Sequence, residues 1–444
     1  MSQKPFKSLS SSKPQRSTML QAAVLLFAAA VLRYIIMISK YQSIIADHVE
    51  VSTPLSSWKR VLEGTFLFSR GINPYEGDLL HETPLAIQFY NLMLNYVFKK
   101  VYFMFIAFDL GSGLLLYLSM RKYSRRFQEE HRDKSVFSED VIETLPGVDY
   151  PVKVPIYVLM MILFNPYTLL GCVGCSTMGI HNFFLSLFIF GMLFNSIIIS
   201  SLALAVCASI SLYPVILIFP LTTYFVKIHC SVSKALLVVL SFLSFLFMIT
   251  YYNSMFGKDY SFIKNVYGCI LTVPDLQPNI GLFWYFFTEM FDHFRELFIY
   301  SFQINATILY LMPLTLTFRN RPFILTIALL FLISIFKSYP CLSDLGFVLS
   351  FIPTFIYLYS YCQQSFVISV ILLMTSCLAP VLWHLWIYCA SANANFFFGV
   401  TLAYAISQIF LVTDVLFAHI KWEFYLKHGK NTEINGEKGL LSLE

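Results

Sequence analysis

The chain has 444 residues and a formal net charge of +5; 57% of its residues are hydrophobic, 12% are charged and 45 are Phe. Soluble domains carry about 25% charged residues, so this composition has too little polar surface for a water-exposed globule, and the small positive charge does not mark a nucleic-acid binder. Apolar windows of about 20 residues recur from Met19 to Ile420 without barrel-type alternation, which predicts an all-α, polytopic transmembrane helical bundle.

Residues 1–18 carry Lys4, Lys7, Lys13 and Arg16 without an acid, which predicts a disordered cytosolic tail. The run 19–38 mimics a cleavage site at Ala28 and Ala30 but resumes after Arg33, so a retained signal anchor is expected. A membrane domain over 19–420 then includes a first luminal loop at 39–80, with ADHVE and SSWKR. Apolar pieces near 81–98 and 101–120 are split by Lys99 and Lys100. RKYSRR opens a cytosolic loop at 121–153, so the first piece is expected to insert only partly. Further spans are expected within 154–226 and near 234–256, 280–318, 322–336, 340–361, 365–388 and 396–420. The total is ten to twelve membrane helices, with a second cytosolic tail at 421–444.

Most of the nine cysteines lie in apolar runs and read as inert buried thiols. Cys172 and Cys175 form a C-x-x-C without two further ligands for zinc. Two NPY turns, at 73–75 and 165–167, read as element boundaries. The sequon at Asn305 lies in apolar sequence, unsuited to glycosylation.

Charges near a bilayer core cost about 2.5–3.5 kcal/mol each on insertion scales, so polar clusters there need a reason. In 278–298, Glu289, Asp292, His293 and Glu296 fall on one face of a helix, with Phe287 and Phe291 among the apolar residues around it. A solvated interfacial face, a lipid groove, or a metal held by Glu289, His293 and Glu296 all fit that spacing. Lys337 either pairs with Asp344 across Pro340 or meets a lipid phosphate. In 380–398, Trp383, Trp386 and Tyr388 form an interfacial belt beside His384, and Asn393 and Asn395 interrupt the apolar run. Amides suit sugar hydroxyls and phosphates, and equally suit a helix cap.

These stretches resemble the PIG-U family of glycosylphosphatidylinositol (GPI) transamidase subunits. The matching segments are STPLSSWKRVLEG (52–64), NPYEGDLLHETPL (73–85), FNPYTLL (164–170), VPDLQPNIGLFWYFFTEMFDHF (273–294), IFKSYP (335–340) and PVLWHLWIYCASANANFF (380–397). The resemblance implies a multi-pass, non-catalytic subunit in the endoplasmic-reticulum membrane, without cofactor or metal. Its partners would be the GPI glycolipid, a cysteine-protease catalytic subunit, and the other membrane and luminal subunits. The family looks similar to GT-C lipid-linked mannosyltransferases. Carried over, Asn393 and Asn395 lie beside the glycan cleft, and 273–294 recognises lipid. The expected GPI and lipid site is therefore Asn393, Asn395, Trp383, His384, Phe287, Phe291 and Lys337. A luminal rim of His81, Glu82, Asp292 and His293 is expected beside it, with His81 and Glu82 pairing with Lys59 and Arg60 or facing the glycan. The alternative is an active GT-C glycosyltransferase using Asp47 or Glu50. A protease using Cys389 and His384, or a transporter using Lys337 and Asp344, has less behind it.

Overall fold

A computed structural model describes residues 12–77, 79–97, 100–133, 137–257, 260–430, 433–434 and 437–438. Asp78, Lys99, residues 1–11 and most of 431–444 lie outside them. The fold is all-α; among the described residues the only strand pairing joins Glu433–Ile434 to Glu437–Lys438.

Helix α1 (Ser12–Met37) is followed by the short α2 (Tyr41–Ala46) and α3 (Trp58–Ser69). Thr83 caps α4 (Pro84–Leu92) by accepting from Ala86 N, with proline at the first helical position. At 9 residues α4 reaches about 14 Å, half a bilayer core. Helix α5 (Val101–Glu130) absorbs RKYSRR into its own last turns, so the expected polar loop begins after residue 130 rather than at 121. Good helix formers and the Arg126–Glu130 pair carry the helix past the apolar stretch. Helices α6 (Tyr150–Phe164) and α7 (Pro166–Val173) meet at a 46° bend. Then come α8 (Met178–Leu193), α9 (Ile197–Ile210), α10 (Ile218–His229) and α11 (Val232–Gly257). The second half holds α12 (Cys269–Thr272), α13 (Phe283–Thr288), α14 (Asp292–Ile304), α15 (Tyr310–Thr317), α16 (Pro322–Phe336) and α17 (Leu342–Leu349). The last pair is α18 (Ser365–Ile387) and α19 (Ala394–His428).

Among the described residues, six helices are long and apolar enough to cross a membrane, or eight if each bent pair is one span. The ten to twelve expected are reached only by counting the four shorter apolar helices too. The longest uninterrupted helix of that kind, α8, has 16 residues and reaches about 24 Å, short of a 30 Å core without local thinning.

The core packs α5 against α6 and α8, α8 against α9, α9 against α11, and α18 against α19. Arg33 of α1 is fully buried in it, 2.5 Å from Asp109 of α5, and donates to Leu163 O at 2.8 Å. The expected single helix over 278–298 is broken: α13 ends at Thr288 and α14 starts at Asp292. Arg295 folds back over the break, donating to Phe287 O at 2.8 Å and Met290 O at 3.2 Å. Glu289 therefore leaves the helical face of Asp292, His293 and Glu296. Among the described residues no group of three His, Cys, Asp or Glu is placed to hold a metal.

Candidate functional site

Helices α7 and α17 cross closely: Gly171 lies against Ser343, and a Cβ on Gly346 would come 2.9 Å from Thr168 N. Asn165 caps α7 by accepting from Tyr167 N at 3.0 Å, and Tyr167 then reaches Ser376 of α18, its hydroxyl 2.5 Å from Oγ. The segment before α3 is tied to this crossing, because Leu342 N donates to Glu50 O at 2.9 Å and Thr177 N to Ser56 O at 3.0 Å. Between these elements, α18 and α19 lies a cavity of about 230 Å³ with mainly apolar walls, including Ile45, Leu170, Ile280 and Val400. Seven polar side chains interrupt that lining, His48, Glu50, Tyr167, Thr375, Ser376, Thr401 and Tyr404, and three of them are not fully satisfied. Glu50 is 7% exposed and Tyr404 6%. Glu50 Oε1, His48 Nδ1 and Tyr404 Oη are buried without a hydrogen-bond partner among the described residues. Burial pushes the Glu50 carboxyl up to about 7 and pulls the His48 imidazole down, because a low-dielectric site disfavours either charge.

Ala379 and Val400 also belong to a second cluster, which forms an aromatic rim beside the cavity. Trp284 of α13 and Phe397 of α19 are buried there, with Trp383 and Trp386 packed around Phe397 at centroid distances of 5.2 and 6.2 Å. Asn393 caps α19, accepting from Asn395 N at 3.1 Å and Phe396 N at 3.4 Å. Asn395 Oδ1 accepts from the Tyr285 hydroxyl. Both asparagines are exposed, and among the described residues neither Nδ2 donates to a group of the chain. The capping alternative is thus realised for Asn393, and its donor side stays outward. Trp284 Nε1 is a further buried donor without a partner.

The other expected residues do not converge on this rim. His384 is exposed and stacks on Tyr388. Phe287 packs in a different cluster with Phe283, Cys269 and Tyr339, while Phe291 is 76% exposed beyond the helix break. Lys337 is buried and sits 2.5 Å from Asp344, so it is not placed to meet a lipid phosphate. The pair forms across the break between α16 and α17 rather than along one helical face, and Asp344 also accepts from Cys341 N at 2.8 Å. Asp292 is exposed and pairs with Arg295 at 2.6 Å, and His293 packs on Phe294.

His81 and Glu82 do not pair with Lys59 or Arg60, because those cations have other partners: Lys59 holds Asp47, and Arg60 meets Asp275 at 3.2 Å. Both residues turn inward instead. His81 Nδ1 lies 2.7 Å from Asn265 O and Nε2 lies 3.8 Å from Cys269 Sγ; Tyr90 donates to Glu82 Oε1 at 3.5 Å. Burial pushes the Glu82 carboxyl up to about 7. Asn73 accepts from Tyr75 N at 3.0 Å, and Tyr75 donates to Glu82 O at 2.8 Å, so Tyr75, His81 and Glu82 form a plug into the interior while Glu76, Gly77 and Leu79 stay exposed.

Sequence reasoning missed Tyr404 and Trp284, which lie in unbroken apolar runs, and the His81–Cys269 contact, which joins residues 188 apart. It weighed Glu50 only beside Asp47, as a glycosyltransferase's base or metal ligand. Its solitary acid among Val49 and Val51 is the signal that was available.

A family profile described as the GPI transamidase subunit PIG-U matches residues 27–404. The GPI-anchor transamidase component PIGU of Mus musculus is 37% identical over 439 residues, 95% of this chain and 99% of that protein. The Homo sapiens protein of that name is 35% identical over 435 residues, with the same coverage. The GPI transamidase component GAB1 of Saccharomyces cerevisiae is 30% identical over 377 residues, 85% of this chain and 88% of that protein. The chain therefore belongs to the PIG-U family of GPI transamidase subunits.

Proposed function

We propose that this chain is a non-catalytic subunit of a GPI transamidase complex in the endoplasmic-reticulum membrane, and that it holds the GPI glycolipid at the α18–α19 rim for attachment to protein C-termini. One observation carries the reading. Asn393 and Asn395 commit their oxygens to internal bonds and leave their N–H donors outward, above a cluster of tryptophans and Phe397. Donors of that kind suit phosphate and hydroxyl oxygens, and the aromatic surface beneath suits the apolar faces of sugars or the start of acyl chains. The bond exchange falls to a cysteine-protease partner subunit, with the other membrane and luminal subunits assembled around it. In this chain the Cys269 thiol beside His81 is 3% exposed, too enclosed to admit a peptide. A glycosyltransferase reading needs Asp47 and Glu50 in one site. Asp47 is instead held at the surface by Lys59, and Glu50 lines the cavity.

The test is photo-crosslinking of a GPI analogue to the purified complex, mapped by mass spectrometry, in an N393D/N395D double variant. Aspartate keeps each oxygen for the cap and for Tyr285, but replaces the outward donors with a charge that repels phosphate. The expected result is a loss of about tenfold in crosslinking, as for a lost charge-assisted hydrogen bond, with the complex intact. Unchanged crosslinking rejects the rim as the site.

A further inference from the structure

The cavity behind the rim has a chemistry of its own. Its three unpartnered polar atoms are a carboxyl oxygen, an imidazole nitrogen and a phenolic hydroxyl, in a wall that is otherwise mainly hydrocarbon. Leaving such groups buried and unpaired is costly, because each has given up its bonds to water. Glu50, Tyr404 and Tyr167 all line this one cavity. The Tyr167 hydroxyl is already used by Ser376, and Thr375 and Thr401 bond to their own helix backbones.

The donor and acceptor inventory selects the occupant. Tyr404 has a proton to give and needs an acceptor; Glu50 Oε1 needs a donor. A hydroxyl group supplies both at one atom. An ammonium group has no acceptor to offer Tyr404, and a carboxylate would be buried in this wall with no Lys or Arg to pair it. A sugar ring brings more hydroxyls than this wall can satisfy. A dry cavity of about 150 Å³ already takes benzene, so about 230 Å³ holds a headgroup and the first part of a chain.

We infer that this cavity is a binding site for a single-headed lipid alcohol, whose hydroxyl bonds to Glu50 and Tyr404 while its chain lies against α7, α18 and α19. The inference goes beyond the glycolipid reading: Ala379 and Val400 border both places, but the polar groups that would bind, Glu50 and Tyr404, are not the amides of the rim.

The experiment uses the full-length chain purified in detergent, labelled with diazirine-bearing hexadecanol and, in parallel, with the corresponding hexadecane, hexadecylamine and palmitic acid probes. The expected result is saturable labelling of α7, α18 or α19 by the alcohol, at concentrations about tenfold below the other three, the worth of one buried hydrogen bond. Tyr404→Phe and Glu50→Ala each weaken it about tenfold, while Glu50→Gln, which keeps a donor and an acceptor, changes it little. Equal labelling by hexadecane, stronger labelling by the amine or the acid, or no saturable labelling by any probe overturns the inference. So does unchanged alcohol labelling in both Tyr404→Phe and Glu50→Ala. Crosslinking of the GPI analogue at the rim serves as the folding control: it stays intact in Tyr404→Phe if the two sites are separate.

Discussion

Three of the four buried acids among the described residues mark two kinds of region in this molecule. Asp109 and Asp344 sit in the packed interior and each has a cation within 2.5 Å, Arg33 and Lys337. Glu50 is as buried as Asp344, yet it faces a cavity with no cation and one oxygen without a partner. A buried charge that is paired and bonded serves the fold, and removing its partner is what does harm. A buried acid without a partner protects itself by staying neutral, and it leaves bonding capacity for something else. The contrast separates residues that hold the bundle together from residues available to a ligand.

That contrast breaks most readily at Asp109. Asp109→Leu leaves Arg33 charged and enclosed, and should destabilise the protein by about 3–5 kcal/mol. The R33L/D109L double variant should recover most of that loss, read as melting temperature in detergent. A double variant no better than the single would show that the two charges do not act as a unit. Lys337→Met should cost about 3 kcal/mol by stranding Asp344. Its GPI crosslinking per folded molecule should be unchanged, because Lys337 is enclosed beside Asp344 and is not part of the rim cluster.

Glu50 and Glu82 sharpen the other side. Both carboxyls are raised to about 7, from an ordinary value of 4.5. Between those values the folded state binds more protons than the unfolded one, so stability is full below pH 4.5 and falls as pH rises towards 7. Each group accounts for roughly 3 kcal/mol of that fall. Glu50→Gln and Glu82→Gln should each remove about half of the slope, measured by thermal melting across pH 4.5–8. An unaltered slope in both variants would place the pH dependence elsewhere. The smallest effect is expected at Asn73: Asn73→Ala removes the oxygen that accepts from Tyr75 N and should cost about 1 kcal/mol.

The two NPY turns show how far local sequence reaches. In both, the asparagine oxygen accepts from the tyrosine N–H at 3.0 Å, a geometry that Asn followed by Pro favours by itself. The tyrosines then part: Tyr75 closes the plug at Glu82 O, and Tyr167 builds the cavity wall with Ser376. Nothing within three residues says which. The same limit governs the helix over 278–298, whose i, i+3, i+4, i+7 spacing is real but is cut when Arg295 caps carbonyls before it. His81 and Glu82 were recognisable as groups needing an explanation, but their inward turn depends on Asn265 and Tyr90.

By itself the sequence determined the membrane class, the all-α fold and the family, because hydrophobic content, span length and long matching segments are properties of the chain read in order. It also marked Asn393 and Asn395, since two amides interrupting an apolar run are conspicuous without coordinates. Only the tertiary structure decided that Lys337 is a core ion pair, that Phe287 and Trp284 face different clusters, and that Glu50 and Tyr404 share a cavity. Those outcomes depend on which side chains meet across hundreds of residues. In a bundle whose helices are apolar nearly all round, no periodic stripe announces which face will turn inward.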